Sequence, residues 1–119
     1  MGVEMLGAIA VVLVAVAHVG FLVLESVLWT RPFGRKTFRL SVEDAERTKL
    51  LASNQGVYNG MLAVGLLWAL ATGETAALSF LLVFVVVVGL FGGFTVKPTI
   101  FALQAAPAAV ALALVRLGL

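Results

Sequence analysis

Four long apolar stretches alternate with short polar segments along the chain. They cover residues 5–29, 50–71, 76–95 and 98–117. Each has about the 20 residues that an α-helix needs to cross the roughly 30 Å hydrocarbon core of a bilayer. Because a segment in lipid must satisfy its backbone internally, helices are expected even over residues 84–88, four of which are β-branched valines. The pattern predicts an all-α integral membrane protein, a four-helix bundle built as a single domain of 119 residues.

The polar segment between the first two stretches, residues 30–40, is predicted to be a loop. Pro32 and Gly34 interrupt the helical pattern there. Ser41, followed three positions later by Asp44, is typical of the start of a helix. A helical turn or two is therefore expected before the second span begins.

The composition agrees with a membrane protein and removes several kinds of chemistry. Hydrophobic residues make up 62% of the chain and charged residues 12%, and the mean hydropathy is +1.14. With no cysteine and one histidine, disulfides, thiolate catalysis and a multi-histidine metal site within one chain are excluded. The chain also lacks a phosphate-binding loop and the nucleophile elbow of serine hydrolases. No metal and no cofactor is predicted.

Positive charge is concentrated in two of the three connecting segments. Seven of the eight Lys and Arg residues lie between spans one and two or between spans three and four: Arg31, Arg35, Lys36, Arg39, Arg47, Lys49 and Lys97. The positive-inside rule makes this face cytoplasmic and places both ends of the chain outside a cell membrane, such as a bacterial inner membrane. The net charge of +2 is then a topology signal, and nucleic acid is not a predicted partner.

Small residues recur at a spacing of four on three of the spans. These positions are Gly56 and Gly60, Gly89 and Gly93, and Ala105, Ala109 and Ala113. Such spacing lets helices approach closely within a bundle, and it is equally compatible with a homodimer. Pro107 is expected to bend the fourth span.

Polar side chains inside the spans are expensive in lipid and require an explanation. Span one carries His18 and Glu25, which lie seven residues apart and hence on one helix face. The other spans contribute Asn54, Gln55, Tyr58, Asn59 and Gln104. Counted from the nearest cytoplasmic cation at 1.5 Å per residue, Glu25 and the amides fall about 8–15 Å into the bilayer. They are predicted to form one polar pocket, with His18 deeper.

Glu25 and His18 are the predicted acid–base residues of this pocket. A carboxyl group inside a span is a functional-site hypothesis by default, and an imidazole can relay a proton. The carboxamides and the phenol of spans two and four are the predicted ligand contacts, because these groups donate and accept hydrogen bonds. The alternative is that the same groups hydrogen-bond across helix interfaces and serve packing alone.

The segment LASNQGVYNGMLAVGL, with His18, Glu25 and the WTRPFG run that follows, resembles a family of small membrane proteins. This family is catalogued as domain of unknown function 1304. The resemblance covers essentially the whole chain, and it implies a four-span protein without implying an activity. Its motif positions fall on His18, Glu25, Trp29, Asn54, Gln55, Gly56, Tyr58, Asn59 and Gly60.

Three functions stay open on the sequence. In the first, the polar pocket binds a small lipophilic ligand or acts on it by acid–base chemistry, as a small membrane enzyme would. In the second, Glu25 is the coupling carboxyl of a proton-coupled transporter or exporter. In the third, the polar layer fixes helix register in a structural accessory subunit. The lipid bilayer is a predicted partner in all three.

Overall fold

Helices account for almost all of the chain in the computed structural model, which describes residues 3–119. The elements are α1 (Met5–Leu22), a π-helical turn (Val23–Val27), α2 (Pro32–Phe38), α3 (Val42–Thr72), α4 (Thr75–Thr95), a second π-helical turn (Phe101–Ala105) and α5 (Ala106–Leu117). No strand occurs among the described residues. The predicted all-α class is confirmed.

Two of the helices are long and apolar enough to cross a membrane. They are α1 with its π turn, Met5–Val27, and α4, each with a mean hydropathy of 2.6 over its most apolar part. The apolar helix Phe101–Leu117 is shorter. A buried helix of a soluble protein and a signal sequence near the N-terminus can have the same length and composition.

The segment predicted to be a loop contains a helix, α2. Pro32 begins this helix, because a proline at the first helical position loses no hydrogen bond. Gly34 is buried against the preceding chain, where an added Cβ would overlap the Leu28 carbonyl. Arg39 ends the helix in the left-handed conformation with φ 54°. The prediction of a loop was wrong because both breakers serve the start of a new helix.

The start of α3 follows the predicted cap. The Asp44 amide donates to the Ser41 hydroxyl oxygen at 3.0 Å. On the exposed face of the same turns, Arg47 pairs with Asp44 at 2.5 Å and Lys49 with Glu46 at 2.8 Å. These pairs compensate two of the three carboxylates at the start of α3.

Contacts divide the chain into two compact units. One comprises Ala63–Leu119 together with the chain up to Ala17, and the other is His18–Leu62. The buried apolar side chains of the first unit are Val11, Val14, Ala15, Ala63, Leu66, Ala69, Leu78, Leu82, Val85, Ala105, Ala108, Ala111 and Val115. Its core is thus built from aliphatic and small side chains.

Within this first unit, α4 packs against α5 and the preceding π turn through glycines. An added Cβ at Gly89 would lie 2.6 Å from the Ala105 backbone nitrogen, and one at Gly93 would overlap the Phe101 ring. Glycines at a spacing of four allow this approach of two backbones. The Gly89 and Gly93 pair therefore serves packing inside one chain.

Only the first member of the alanine series noted for the last span is buried within the chain. Ala105 is buried, but Ala109 and Ala113 are exposed, and burial continues at Ala108 and Ala111. A strict spacing of four drifts around a helix of 3.6 residues per turn. Because alanine is frequent on both sides of α5, its spacing alone does not identify the buried face.

Pro107 lies in the first turn of α5, directly after the second π turn. The Ala106 amide there bonds to the Phe101 carbonyl, five residues earlier. A proline has no amide hydrogen and crowds the carbonyl four residues before it, and a widened turn accommodates this interruption. The structure therefore has a π turn just before Pro107, and the bend expected there stays a prediction.

Substitution of Gly89 by alanine is predicted to destabilise the fold, while Gly20→Ala is not. The new Cβ at Gly89 meets backbone, which must shift, at a cost of about 1–3 kcal/mol. At Gly20 nothing lies within 4 Å of an added Cβ, and alanine there gains up to about 1 kcal/mol of helix propensity. Thermal unfolding followed by circular dichroism compares the two variants, and equal midpoints would contradict the α4–α5 contact.

Candidate functional site

Three side-chain hydrogen bonds join the segment that follows α1, from the π turn to Trp29, to α3 within the unit His18–Leu62. The Asn59 amide donates to the Glu25 carboxylate, Nδ2 to Oε1, at 2.5 Å. The Ser26 hydroxyl donates to the Ser53 carbonyl at 3.0 Å. A third bond runs from the Trp29 indole to the Thr48 hydroxyl oxygen, also at 3.0 Å. The bonds follow the two segments in opposite directions, so the segments are antiparallel.

A glycine on α3 makes this contact close enough for hydrogen bonding. An added Cβ at Gly56 would overlap the Ser26 hydroxyl and lie 3.2 Å from both the Glu25 Cβ and the Leu22 carbonyl oxygen. At Gly60 it would lie 3.0 Å from a methyl group of Leu22. The predicted glycine pair of span two is therefore used inside one chain.

Glu25 lies at the centre of the first π turn. The turn is closed by the Leu28 amide, which bonds to the Val23 carbonyl at 3.0 Å, five residues back. Single π turns within helices are frequent at functional sites. This one places a half-buried carboxylate against α3, where Asn59 itself is only 8% exposed.

A cavity of about 410 Å³ opens beside this carboxylate. Its wall is formed by Glu25, Ser26, Val27, Trp29, Thr30, Lys49, Leu50 and Ser53. The volume lies within the range of about 300–1,000 Å³ found for small-molecule sites. The wall combines a carboxylate, an ammonium group and hydroxyls with an indole and two aliphatic side chains, so it suits a ligand that has both polar and apolar parts.

His18 is fully buried and lies in the same unit as Glu25. Its ring meets Phe21 edge to face, with the ring centroids 5.1 Å apart. His18 is not among the residues that line the cavity. His18 is therefore enclosed, while Glu25 is half-buried.

The structure does not bring all the predicted ligand contacts to Glu25. Asn54, Gln55 and Tyr58 lie on the exposed side of α3, with Tyr58 73% exposed. Gln104 belongs to the other compact unit. Only Asn59, of these five, hydrogen-bonds to the carboxylate. The number of residues from a reference cation gives the position of a side chain along its helix but not the direction in which it points.

Seven of the eight wall residues were not predicted as parts of a site, and they include two serines, a tryptophan and a lysine. Ser26 and Ser53 are hydroxyls in apolar surroundings, while Trp29 and Lys49 suggested an interfacial anchor and a topology signal. A usable signal was present for Ser53, which lies three positions before Gly56 and hence on the same helix face. No comparable signal marks Ser26, whose position depends on the π turn.

Among residues 3–119, no group of three or more His, Asp or Glu side chains is placed to hold a metal ion. The chemistry that the described site offers is hydrogen bonding and proton exchange. The Glu25 carboxylate has one oxygen occupied by Asn59, and carboxylate oxygens can accept further bonds.

Fold and site together define a small all-α protein with a carboxylate–carboxamide pair beside an open cavity. Residues 12–116 match the family described as "Protein of unknown function (DUF1304)", and the chain belongs to this family. The resemblance inferred from the NQGVYNG segment is confirmed.

One relative is a protein of Lactococcus lactis subsp. lactis (strain IL1403) described as "Uncharacterized protein YpaA". This chain is similar to it, with 29% identity over 104 residues, which is 84% of this chain and 87% of the relative. No solved structure matches the chain.

Replacement of Asn59 by alanine is predicted to destabilise the protein more than replacement of Gln55. The first change leaves a half-buried carboxylate without its partner, at a cost of about 1–3 kcal/mol. Gln55 is exposed, so Gln55→Ala should alter the free energy of unfolding by no more than about 0.5 kcal/mol. Chemical denaturation of both variants gives the comparison, and an unchanged midpoint for Asn59→Ala would show that the pair contributes nothing to stability.

Proposed function

We propose that this chain is a four-span integral membrane protein that binds a small lipophilic ligand in the cavity beside Glu25. In this proposal Glu25 hydrogen-bonds to the polar head of the ligand or exchanges a proton with it. The observation that carries the proposal is a carboxylate oriented by Asn59 in the wall of a cavity of about 410 Å³. Residues that only fix helix packing would not need such a space beside them.

Exposed apolar side chains support placement in a membrane. On α1, Leu13 is 62% and Val16 61% exposed, and on α4, Val87 is 58% and Phe91 71% exposed. Only 28% of the most apolar part of either helix is buried, whereas the core helix of a soluble protein would be covered. Contiguous apolar surface of this kind is compatible with lipid around the helices.

The proposed orientation places α2 and the start of α3 on the cytoplasmic side. This part of the chain carries six of the eight Lys and Arg residues, in accordance with the positive-inside rule. The cavity then extends into the cytoplasmic half of the bilayer from the interface, which Trp29 and Lys49 in its wall favour.

The chemistry of the wall restricts the class of ligand. Val27, Leu50 and the Trp29 ring offer apolar surface for a hydrocarbon part that enters from the bilayer. Glu25 can accept a hydrogen bond, and Lys49 can donate one. A small amphiphile with hydroxyl or carbonyl groups in its head fits this combination.

Filling the cavity is predicted to remove a bound ligand while the fold is kept. Ser53→Phe places a ring in the space beside Glu25 and leaves the Ser53 carbonyl free to accept its bond from Ser26. Val57→Phe adds comparable bulk at a position that is 55% exposed and serves as the control. Native mass spectrometry of protein extracted with its surrounding lipid measures the adduct, which should persist in the control only.

The substitution Glu25→Gln distinguishes the three possible roles of this site, which are ligand binding, proton-coupled transport and helix packing. Loss of the adduct with the fold retained supports ligand binding through the carboxylate. Loss of proton-coupled flux in proteoliposomes would instead favour a transporter. A change in thermal stability alone, with the adduct retained in Ser53→Phe, would contradict a ligand site and favour a structural role.

The topology gives a separate prediction. Because the chain has no cysteine, Lys36→Cys in α2 and Glu74→Cys between α3 and α4 are unique labelling sites. We expect membrane-impermeant maleimide to label Glu74→Cys in intact cells and Lys36→Cys only after the membrane is opened. Labelling of both from one side would mean that α3 does not span.

A further inference from the structure

α3 carries a second regular stripe that faces away from its buried side. Leu51, Asn54, Tyr58 and Met61 follow each other at spacings of three, four and three, and all are exposed. Leu51 is 74%, Tyr58 73% and Met61 62% exposed. This outer stripe has the spacing of the contact positions in a two-stranded coiled coil.

The buried side of the same helix is already occupied. Ala52, Gly56 and Asn59 are buried there, and both Gly56 and Gly60 approach Leu22 of the same chain. The glycine pair is therefore not available to a partner. A partner of α3 has to use the outer stripe.

Asn54 is the residue of the stripe that requires a partner. In a bilayer, a carboxamide facing lipid leaves its donors and acceptor without hydrogen bonds, which is costly. A carboxamide carries both kinds of group, so two copies of Asn54 brought together can satisfy each other. A polar residue at one contact position of a helix pair also fixes its register.

We infer that a second copy of this chain packs against the outer stripe, forming a parallel homodimer in which Asn54 pairs with Asn54 of the other copy. This inference rests on the membrane location in the proposed function. Two copies inserted with the same topology are related by an axis along the membrane normal, which brings identical positions of α3 to the same depth. No other partner is guaranteed to present a carboxamide at that level.

The charged start of α3 is compatible with this arrangement. Arg47 continues the stripe one turn before Leu51, where two copies would bring like charges together. Arg47 pairs with Asp44 of its own chain at 2.5 Å, so each copy presents a compensated pair. Tyr58, one turn after Asn54, supplies a ring and a hydroxyl that suit an interface.

Cysteine crosslinking tests the inference directly. The chain has no cysteine of its own, so Leu51→Cys and Met61→Cys each introduce a single thiol on the stripe and leave Asn54 in place. Val87→Cys on α4, which is 58% exposed, is the matched control. In oxidised native membranes we expect a disulfide-linked dimer at positions 51 and 61 and at most a trace at 87. Equal or stronger crosslinking at 87 would overturn the inference.

A second measurement tests whether dimerisation depends on the carboxamide of the outer stripe or on any exposed carboxamide of α3. Asn54→Leu removes the proposed pair, while Gln55→Leu removes an equally exposed carboxamide one position away from the stripe. Fluorescence dimerisation assays in lipid bilayers should show the dissociation constant rising about tenfold for Asn54→Leu and less than threefold for Gln55→Leu. Equal effects, or a monomeric wild type, would overturn the inference.

The outcomes distinguish this inference from the proposed function. A chain that resists carbonate extraction and keeps its ligand adduct, but is monomeric, overturns the homodimer alone. A chain that carbonate removes from membranes overturns the homodimer together with the membrane location. A dimer that is retained in Ser53→Phe after the adduct is lost supports the homodimer independently of the ligand.

Discussion

The close approach between the end of α1 and the glycine face of α3 is the constraint on which the site depends. Helices with ordinary side chains at their contact pack with axes about 8–10 Å apart, and a hydrogen bond needs its heavy atoms within about 3 Å. Gly56 removes the side chain that would stand between Glu25 and α3. The short carboxamide of Asn59, one turn later, then reaches the carboxylate. Without the glycine, a methyl group on α3 would meet the Ser26 hydroxyl and the Glu25 Cβ, and the two segments could not approach this closely.

Segment-level features could be predicted from the sequence because they depend on length and average hydropathy. The helical class, the cap at Ser41 and the positions of the long helices follow from such patterns. The two π turns could not be predicted, because a hydrophobic pattern does not specify whether a backbone amide bonds to the carbonyl four or five residues earlier. The same limit explains α2, where Pro32 breaks one helix and begins the next.

The position of each site residue along its helix follows from the sequence, but the direction of its side chain does not. Counting residues places Asn54 and Asn59 about 8 Å apart along the axis of α3. Because five residues are not a whole number of helical turns, their side chains point to different sides of the helix. The buried positions Ala52, Gly56 and Asn59 show which side faces α1, and that information is held in the three-dimensional contact. Hydrophobicity gives a weak signal here, since the outer positions Leu51 and Met61 are at least as apolar as the inner ones.

The polar run of α3 is explained more fully by two surfaces than by one pocket. A pocket at Glu25 uses Gly56 and Asn59, which leaves the remaining polar side chains of NQGVYNG without a role in it. In the proposed membrane location, each of them adds to the cost of inserting α3 into lipid, so a helix that served one pocket would be more stable with leucine at those positions. In the proposed homodimer, a second copy at the outer stripe gives Asn54 a hydrogen-bond partner at the same membrane depth. One short segment then contributes to both the proposed ligand site and the proposed subunit contact.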